Sequence, residues 1–190
     1  MITVYVKRFN REVDEEPHVE SYEIEEYPGM KVLDALEEIN RKYNADISFR
    51  SSCKAGQCGS CGVKINENGA LACKAEIKDN QLIEPLDFPV IKDLVVDRSS
   101  ADEKIKQLQL SLDCDSKTSH EKLSPEYIKD TKKVRSCIEC YTCLSTCPVV
   151  KHFKDDFLGL LECLFRYCLP LRHQAMHIRH LEPCNPPYIL

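Results

Sequence analysis

Regularly spaced cysteines are the residues of this chain most suited to chemistry. Of 12 cysteines in 190 residues, four follow the pattern C-x4-C-x2-C with a fourth after eleven further residues: Cys53, Cys58, Cys61 and Cys73. This spacing is typical of a [2Fe–2S] cluster, in which each tetrahedral iron takes bridging sulfides and two protein thiolates. Gly56, Gly59 and Gly62 lie among these cysteines. We expect them to let the loop bring backbone N–H groups close to a compact anion.

Two other uses of closely spaced cysteines are a zinc site and a disulfide staple. Zinc knuckles usually carry two C-x2-C pairs rather than this run. Disulfides need an oxidising compartment, whereas residues 1–6 alternate like a strand and do not resemble a secretory signal. The sequence therefore favours thiolate ligands in a reducing cytoplasm over both alternatives.

A second cysteine run has the spacing C-x2-C-x2-C-x3-C-P, with the cysteines Cys137, Cys140, Cys143 and Cys147. In bacterial-type runs the first three cysteines bind one [4Fe–4S] cluster and the fourth ligates another. The sequence has no second run of this form to complete either set. The missing ligands therefore stay open, with Cys163, Cys168 or Cys184 as candidates for the second cluster.

The charge is divided unevenly along the chain. Residues 1–97 carry 12 basic and 19 acidic side chains, and residues 98–190 carry 14 and 12. This division argues against nucleic-acid binding and favours two units with different docking faces. The longest apolar tract, residues 157–171, contains Glu162 and Arg166 and is too short to span a bilayer. We expect any association with a membrane to come through partners.

The periodicity predicts an α+β fold. Alternating apolar residues predict strands over 2–9 and 19–25, and helical spacing predicts an amphipathic helix over 31–43. A strand over 62–66 and a turn at 67–69, with positive φ angles at Asn68 and Gly69, would return Cys73 to the cluster. Segments 82–85 and 90–97 complete a first unit, residues 1–97, with the element order of a β-grasp ferredoxin.

Residues 98–190 are predicted to form a second, helical ferredoxin-like unit. Ser100 and Glu103 have the spacing of a capping box, and Ser124 with Pro125 predicts a further helix start. Cys114 stands alone and is predicted to be unliganded. Residues 160–190 are atypical: the sequence there is compatible with a zinc site or with a loosely held basic tail containing His173, His177, His180 and Cys184.

With both cysteine runs in place, the chain resembles the iron–sulfur subunits of the succinate dehydrogenase and fumarate reductase family. Its segment 88–98 is similar to that of the archaeal thiol-dependent fumarate reductases. The resemblance covers about residues 1–159. It implies a β-grasp ferredoxin followed by a helical ferredoxin, without substrate chemistry of its own. It also implies a partner flavoprotein subunit and a membrane-anchor or thiol-reducing subunit, in the cytoplasm or peripherally at the inner face of the membrane.

The resemblance further implies a path for electrons between the flavin and a quinone or thiol site. The path would pass through a [2Fe–2S] cluster held by the first four cysteines and a [4Fe–4S] cluster held by the first three of the second run. Cys147 would ligate a third cluster, [3Fe–4S] or [4Fe–4S], or supply a remaining ligand.

The chain departs from this family after Gly159, where the expected helices and second cysteine run do not follow. We hypothesise that it is a truncated or frame-shifted product. Two alternative functions are a free ferredoxin-like carrier that docks through its acidic face and a product in which only the [2Fe–2S] unit works. The buried interface would separate the first two, because the interface of a permanent complex is large and apolar, whereas that of a shuttle is small and polar.

Overall fold

The computed structural model describes residues 1–107 and 136–152. Several predicted features lie outside the described residues: Cys114, the helix after Ser124, the apolar tract 157–171 and the cysteines and histidines of the tail.

A five-stranded mixed sheet forms the centre of the first unit. Its strands are β1 (Ile2–Arg8), β2 (His18–Ile24), β3 (Gly62–Ile65), β4 (Asn68–Leu71) and β5 (Gln81–Glu84), in the order β2-β1-β5-β3-β4. β5 runs parallel to β1, and the remaining neighbours are antiparallel. Ile2, Val4 and Val6 of β1 are buried, as their alternation predicts.

One amphipathic helix, α1 (Val32–Tyr43), packs against this sheet. Its buried face joins the strand residues in one core and consists of Val32, Leu33, Ala35, Leu36 and Ile39. Burying a large aliphatic side chain contributes about 1.5–3 kcal/mol, so this face fixes the helix on the sheet. The helix begins where the Lys31 N–H donates to Asp34 Oδ2 at 2.9 Å and ends at Asn44, with φ of 50°. The predicted α+β class is confirmed.

The hairpin between β3 and β4 turns earlier than the sequence predicts. Ile65 pairs with Asn68, and the positive φ angles belong to Asn66 (47°) and Glu67 (68°). The prediction of Asn68 and Gly69 as the turn is therefore wrong. Asn66 is held to β5, because its Oδ1 accepts from the Leu82 N–H at 2.9 Å and its own N–H donates to the Leu82 carbonyl at 3.0 Å. This long-range contact fixes the turn at Asn66.

The segment predicted over 90–97 is a pair of short strands, β6 (Val90–Lys92) and β7 (Val95–Val96). The chain reverses at Asp93, with φ of 48°. α2 (Ser99–Gln107) follows, and its first turn is capped by Asp97, whose Oδ1 accepts from the Ser99 N–H at 2.9 Å. In the described part of the chain, Asp97 takes the capping role predicted for Ser100.

The second cysteine run leads into two short helices, α3 (Thr142–Ser145) and α4 (Pro148–His152). α3 contacts β3 and β4. A second apolar cluster of Ala101, Tyr141 and Leu144 forms here, with Phe88, Ile105 and Val150 packed against it. Phe88 follows β5 in the chain, so this cluster packs the segment after β5 against α2 and the second cysteine run. Within residues 1–107 and 136–152, no helix has the length and apolar character needed to cross a membrane.

Candidate iron–sulfur centres

Cys53 and Cys58 form an exposed pair of thiols at the outer side of the first cysteine loop. Cys53 Sγ accepts three backbone hydrogen bonds, from the N–H groups of Ala55 at 3.4 Å, Gln57 at 3.3 Å and Cys58 at 3.4 Å. Gly56 supports this curvature with φ of 73°. The loop therefore curves around Cys53 Sγ and directs three backbone N–H groups at it.

Cys58 has an acidic thiol. Its Sγ lies 3.0 Å from Ser60 Oγ. The Ser60 hydroxyl, followed by the backbone N–H groups of Cys53 and Ser60, lowers the pKa of Cys58 to about 6. Cys58 is therefore prepared to bind a cation at neutral pH.

Cys61 and Cys73 form a second, buried pair whose Sγ atoms are 3.3 Å apart. This separation is much longer than the roughly 2.05 Å of a disulfide. Burial is the largest effect on Cys61 and raises its pKa to about 11, and the charges of Cys73 and Cys58 act in the same direction. A metal at this pair would displace the proton of the Cys61 thiol as it binds.

The loop that carries Cys73 is fixed from two sides. The Ala72 N–H donates to the Cys61 carbonyl at 2.9 Å. The first N–H groups of α1 have no partner within the helix, and they donate to this loop: Leu33 to the Ala72 carbonyl at 2.9 Å and Val32 to the Ala75 carbonyl at 3.0 Å. The hairpin thus returns Cys73 to Cys61, as the sequence predicts.

Asp93 anchors the segment that leads into the first cysteine loop. It is 2% exposed and accepts from Arg8 Nε at 2.7 Å and from the Ser48 N–H at 2.9 Å. Burial acts to lower the pKa of Arg8, but the hydrogen bond and charge of Asp93 raise it above its usual value. This role of Asp93 was not predicted from the sequence. The available signal was an acidic side chain inside the apolar segment 90–96.

Cys137 and Cys140 lie near Cys143, the third cysteine of the second run. Burial raises the pKa of Cys143, and the negative charges of Cys140 and Cys137 act in the same direction. Cys140 Sγ lies 3.2 Å from Thr142 Oγ1. Cys147 directly precedes α4, and its thiol is half-buried. The run therefore offers three neighbouring thiols and a fourth one helical segment further on.

Tyr141 holds the second run against α2. It adopts φ of 60°, and its buried hydroxyl donates to Asp102. The Arg98 guanidinium lies 5.0 Å from the ring centre, and the Phe88 ring meets it edge-on at 6.3 Å. Burial, followed by the hydrogen bond to Asp102, raises the pKa of Tyr141. This residue was not predicted from the sequence either, although an aromatic side chain between two closely spaced cysteines was a usable signal.

The donor set fits iron–sulfur clusters. The first four thiols stand as an exposed pair and a buried pair, and a binuclear cluster needs two thiolates on each of its two irons. Across the two described ranges, no group of three or more His, Cys, Asp or Glu side chains is placed to hold a metal ion. The arrangement in two pairs is therefore the feature that matches the cluster chemistry.

Comparisons with known proteins agree with this chemistry. The family described as 2Fe-2S iron-sulfur cluster binding domain matches residues 3–103. The fumarate reductase iron-sulfur subunit of Haemophilus influenzae is 34% identical over 177 residues, which cover 84% of this chain and 69% of that protein. The chain belongs to the family of fumarate reductase and succinate dehydrogenase iron–sulfur subunits. The resemblance seen in the cysteine runs is thereby confirmed. The chain is an iron–sulfur protein.

Two further members show how the chain relates to this family. A fumarate reductase (CoM/CoB) subunit of Methanothermobacter marburgensis is 55% identical over 151 residues, and the match covers 80% of this chain but 31% of that protein. The chain thus spans about a third of the length of this relative. The structure of the Mycobacterium smegmatis Sdh1 complex in the apo form matches with a TM-score of 0.80 at 28% identity, over 90% of this chain and 74% of that chain.

Proposed function

We propose that this chain is the electron-transfer subunit of a succinate dehydrogenase or fumarate reductase-type complex. The observation that supports it most is the pair of cysteine sets, on separate segments, packed directly against each other through β3, β4 and α3. Iron–sulfur clusters supply one-electron chemistry when bound. Two such centres in contact suit a protein that passes electrons from one partner to another and carries no substrate site.

The thiol pairs support a ligand assignment. Cys53 and Cys58 would hold the outer iron of a [2Fe–2S] cluster, and Cys61 and Cys73 the inner one. Two sulfurs on one tetrahedral metal stand roughly 3.8 Å apart for metal–sulfur bonds of about 2.3 Å, and the Sγ atoms of Cys61 and Cys73 are 3.3 Å apart. A small movement of these side chains would therefore admit an iron.

The second run would hold a [4Fe–4S] cluster through Cys137, Cys140 and Cys143. Cys147 would supply the remaining ligand or serve a further cluster, [3Fe–4S] or [4Fe–4S]. The exposed pair lies at the outer side of the loop, so a partner flavoprotein would exchange electrons there. The second partner, a membrane-anchor or thiol-reducing subunit, would meet the second run. The division into residues 1–97 and 98–190 is supported by the larger apolar cluster, whose members all lie between Ile2 and Leu94, whereas the smaller cluster crosses the boundary through Phe88.

The test is to purify the full chain without oxygen, count iron and acid-labile sulfide, and record spectra of the reduced protein. About six irons with both cluster signals are expected. About two irons would contradict the second centre, and a chain without iron would contradict the function. Co-expression with a flavoprotein of the family then separates a permanent subunit, which elutes as a stable complex, from a free carrier, which elutes alone.

A further inference from the structure

Three glycines of the first unit form one surface against the second cysteine run. Gly59 and Gly62 directly follow Cys58 and Cys61, and Gly69 lies in β4. We call these three residues the glycine seat. They come from a loop and two strands, so only the folded sheet brings them together.

Two members of the seat contact the backbone beside Cys140. A Cβ on Gly59 would lie 2.6 Å from the Ile138 carbonyl oxygen and 3.0 Å from Cys140 Cα, and a Cβ on Gly62 would lie 3.0 Å from the Cys140 carbonyl oxygen. Side-chain carbons do not normally come this close to backbone atoms. The two cysteine loops therefore meet backbone to backbone, without a side chain between them.

Gly69 makes the same kind of contact further along the run. Its Cβ would lie 2.9 Å from the Thr142 carbonyl oxygen and 3.1 Å from Thr146 Cγ2. Gly62 and Gly69 do not have positive φ angles, so backbone conformation does not require glycine at either position. Glycine in a strand interior is unfavourable by itself and often marks the close approach of another backbone. The close approach of the second run explains why glycine stands at both positions.

We propose that the glycine seat sets the separation of the two cluster-binding loops and thereby the rate at which electrons pass between them. This inference rests on the proposed function. Electron transfer through protein slows steeply with distance, and the seat lets Gly62, bonded to Cys61, contact the carbonyl of Cys140. The seat residues are thus positioning residues for electron transfer, although they hold no metal.

Other contacts would keep the second run in place when the seat is altered. The Asp87 N–H donates to Ser145 Oγ at 2.7 Å, and Lys151 of α4 pairs with Asp87 at 2.8 Å. An alanine at position 69 must move the backbone at Thr142, because the nearest atom is a carbonyl oxygen. We therefore expect the Gly69→Ala chain to keep both clusters at a larger separation.

The experiment compares the full, anaerobically purified chain with Gly69→Ala and Gly62→Ala. Iron content and the spectrum of each reduced centre show that both clusters are present. The magnetic interaction between the two reduced centres, seen as broadening of their electron paramagnetic resonance signals, reports their separation directly. We expect a weaker interaction and a several-fold slower electron transfer between the centres in both variants. Gly29→Ala is the control for backbone strain without a steric contact, because alanine is strained at its φ of +82° but no atom lies within 4 Å of an added Cβ.

The outcomes separate this inference from the proposed function. Both clusters present with an unchanged interaction in the two seat variants would overturn the role of the seat alone. Loss of the second cluster from both seat variants, with Gly29→Ala intact, would also overturn it, because the seat would then serve assembly rather than separation. A wild-type chain that holds a single centre would overturn the proposed function, and the seat would lose its role with it.

Discussion

Cys58 and Cys61 are close in sequence but have thiols of opposite acidity. The exposed Cys58 is acidified by the Ser60 hydroxyl, with a pKa of about 6, whereas burial raises the pKa of Cys61 to about 11. Cys58 therefore offers a thiolate before any metal arrives, whereas Cys61 releases its proton only to a metal. The same loop thus combines a reactive outer thiolate with a protected interior.

The Ser60 hydroxyl provides a first prediction. In the cluster-free chain, Ser60→Ala should move the alkylation midpoint of Cys58 upward by roughly one pH unit, because the hydrogen bond that stabilises the thiolate is lost. The measurement is the rate of reaction with iodoacetamide against pH, with Cys58 resolved by peptide mass. Ser52→Ala is the control, since Ser52 is exposed outside the loop of sulfur contacts. Equal profiles for all three chains would contradict the role of Ser60.

Asp93 carries the second prediction. Asp93→Ala removes the buried partner of Arg8 and the acceptor of the Ser48 N–H, so the free energy of unfolding should fall by about 3 kcal/mol. Glu20 also pairs with Arg8 at 2.9 Å. Arg8 therefore keeps one carboxylate partner in the variant, and the loss of stability is smaller than for a buried cation left without any partner. Urea unfolding of the full chain measures this change in the free energy of unfolding. The control is Asp46→Ala, which breaks an exposed pair with Lys92 and should leave the free energy of unfolding nearly unchanged, because solvent screens exposed ion pairs. A similar loss in both variants would refute the anchoring role of Asp93.

Among the secondary-structure elements, the sheet and α4 are connected through Asp87. It pairs with Lys64 of β3 at 2.5 Å and with Lys151 of α4 at 2.8 Å. Burial acts to raise the pKa of Asp87, but the hydrogen bonds of Lys151 and Lys64 outweigh it and lower the pKa. The stabilisation is therefore complete above the unfolded-state pKa of about 3.9 and is lost as the pH falls through the lower folded-state value.

This linkage predicts how α4 responds to acid. Docking of α4 should be constant near neutrality and weaken below about pH 4. Asp87→Asn should weaken it at neutral pH by up to about 1 kcal/mol and remove part of the acid response. Hydrogen exchange of the peptide containing α3 and α4, followed against pH, measures the docking. The control is Glu16→Gln, in the turn between β1 and β2, which should change neither the docking of α4 at neutral pH nor its response to acid. An Asp87→Asn chain with the wild-type acid response would exclude Asp87 as the link between the sheet and α4.

Local sequence patterns predict some of the secondary-structure elements, whereas long-range contacts decide others. The alternation of β1 and the helical spacing of α1 are local, and both elements form close to the predicted positions. The turn position is not local, because the contact of Asn66 with Leu82 decides it. The split of β6 from β7 depends on the buried Asp93, which is held by Arg8 and Ser48 from distant parts of the chain. Periodicity does not encode such long-range hydrogen bonds.

Across the protein as a whole, the sequence predicts both cysteine sets but not their contact. Cysteine spacing reports the geometry of each loop, whereas the facing of the two loops depends on how β3, β4 and α3 pack. Gly59 and Gly62 illustrate the difference. The sequence assigns both to the loop that wraps a cluster, whereas the structure places Gly59 against Ile138 and Cys140 and Gly62 against Cys140 of the second run. The roles of Tyr141 and Asp93 were not predicted from the sequence, because they too depend on tertiary contacts.

Because the two ligand sets lie on separate segments, each centre should be lost independently. Cys58→Ser should remove about two irons and the [2Fe–2S] signal while the second centre stays. Cys140→Ser should do the reverse. Cys114→Ser, at the cysteine predicted to be unliganded, is the matched control and should retain both centres. Iron content and spectra of the reduced, full-length variants measure the result. The glycine seat joins the loops by contact without sharing ligands, so joint loss of both centres in either variant would mean that the two units fold as one.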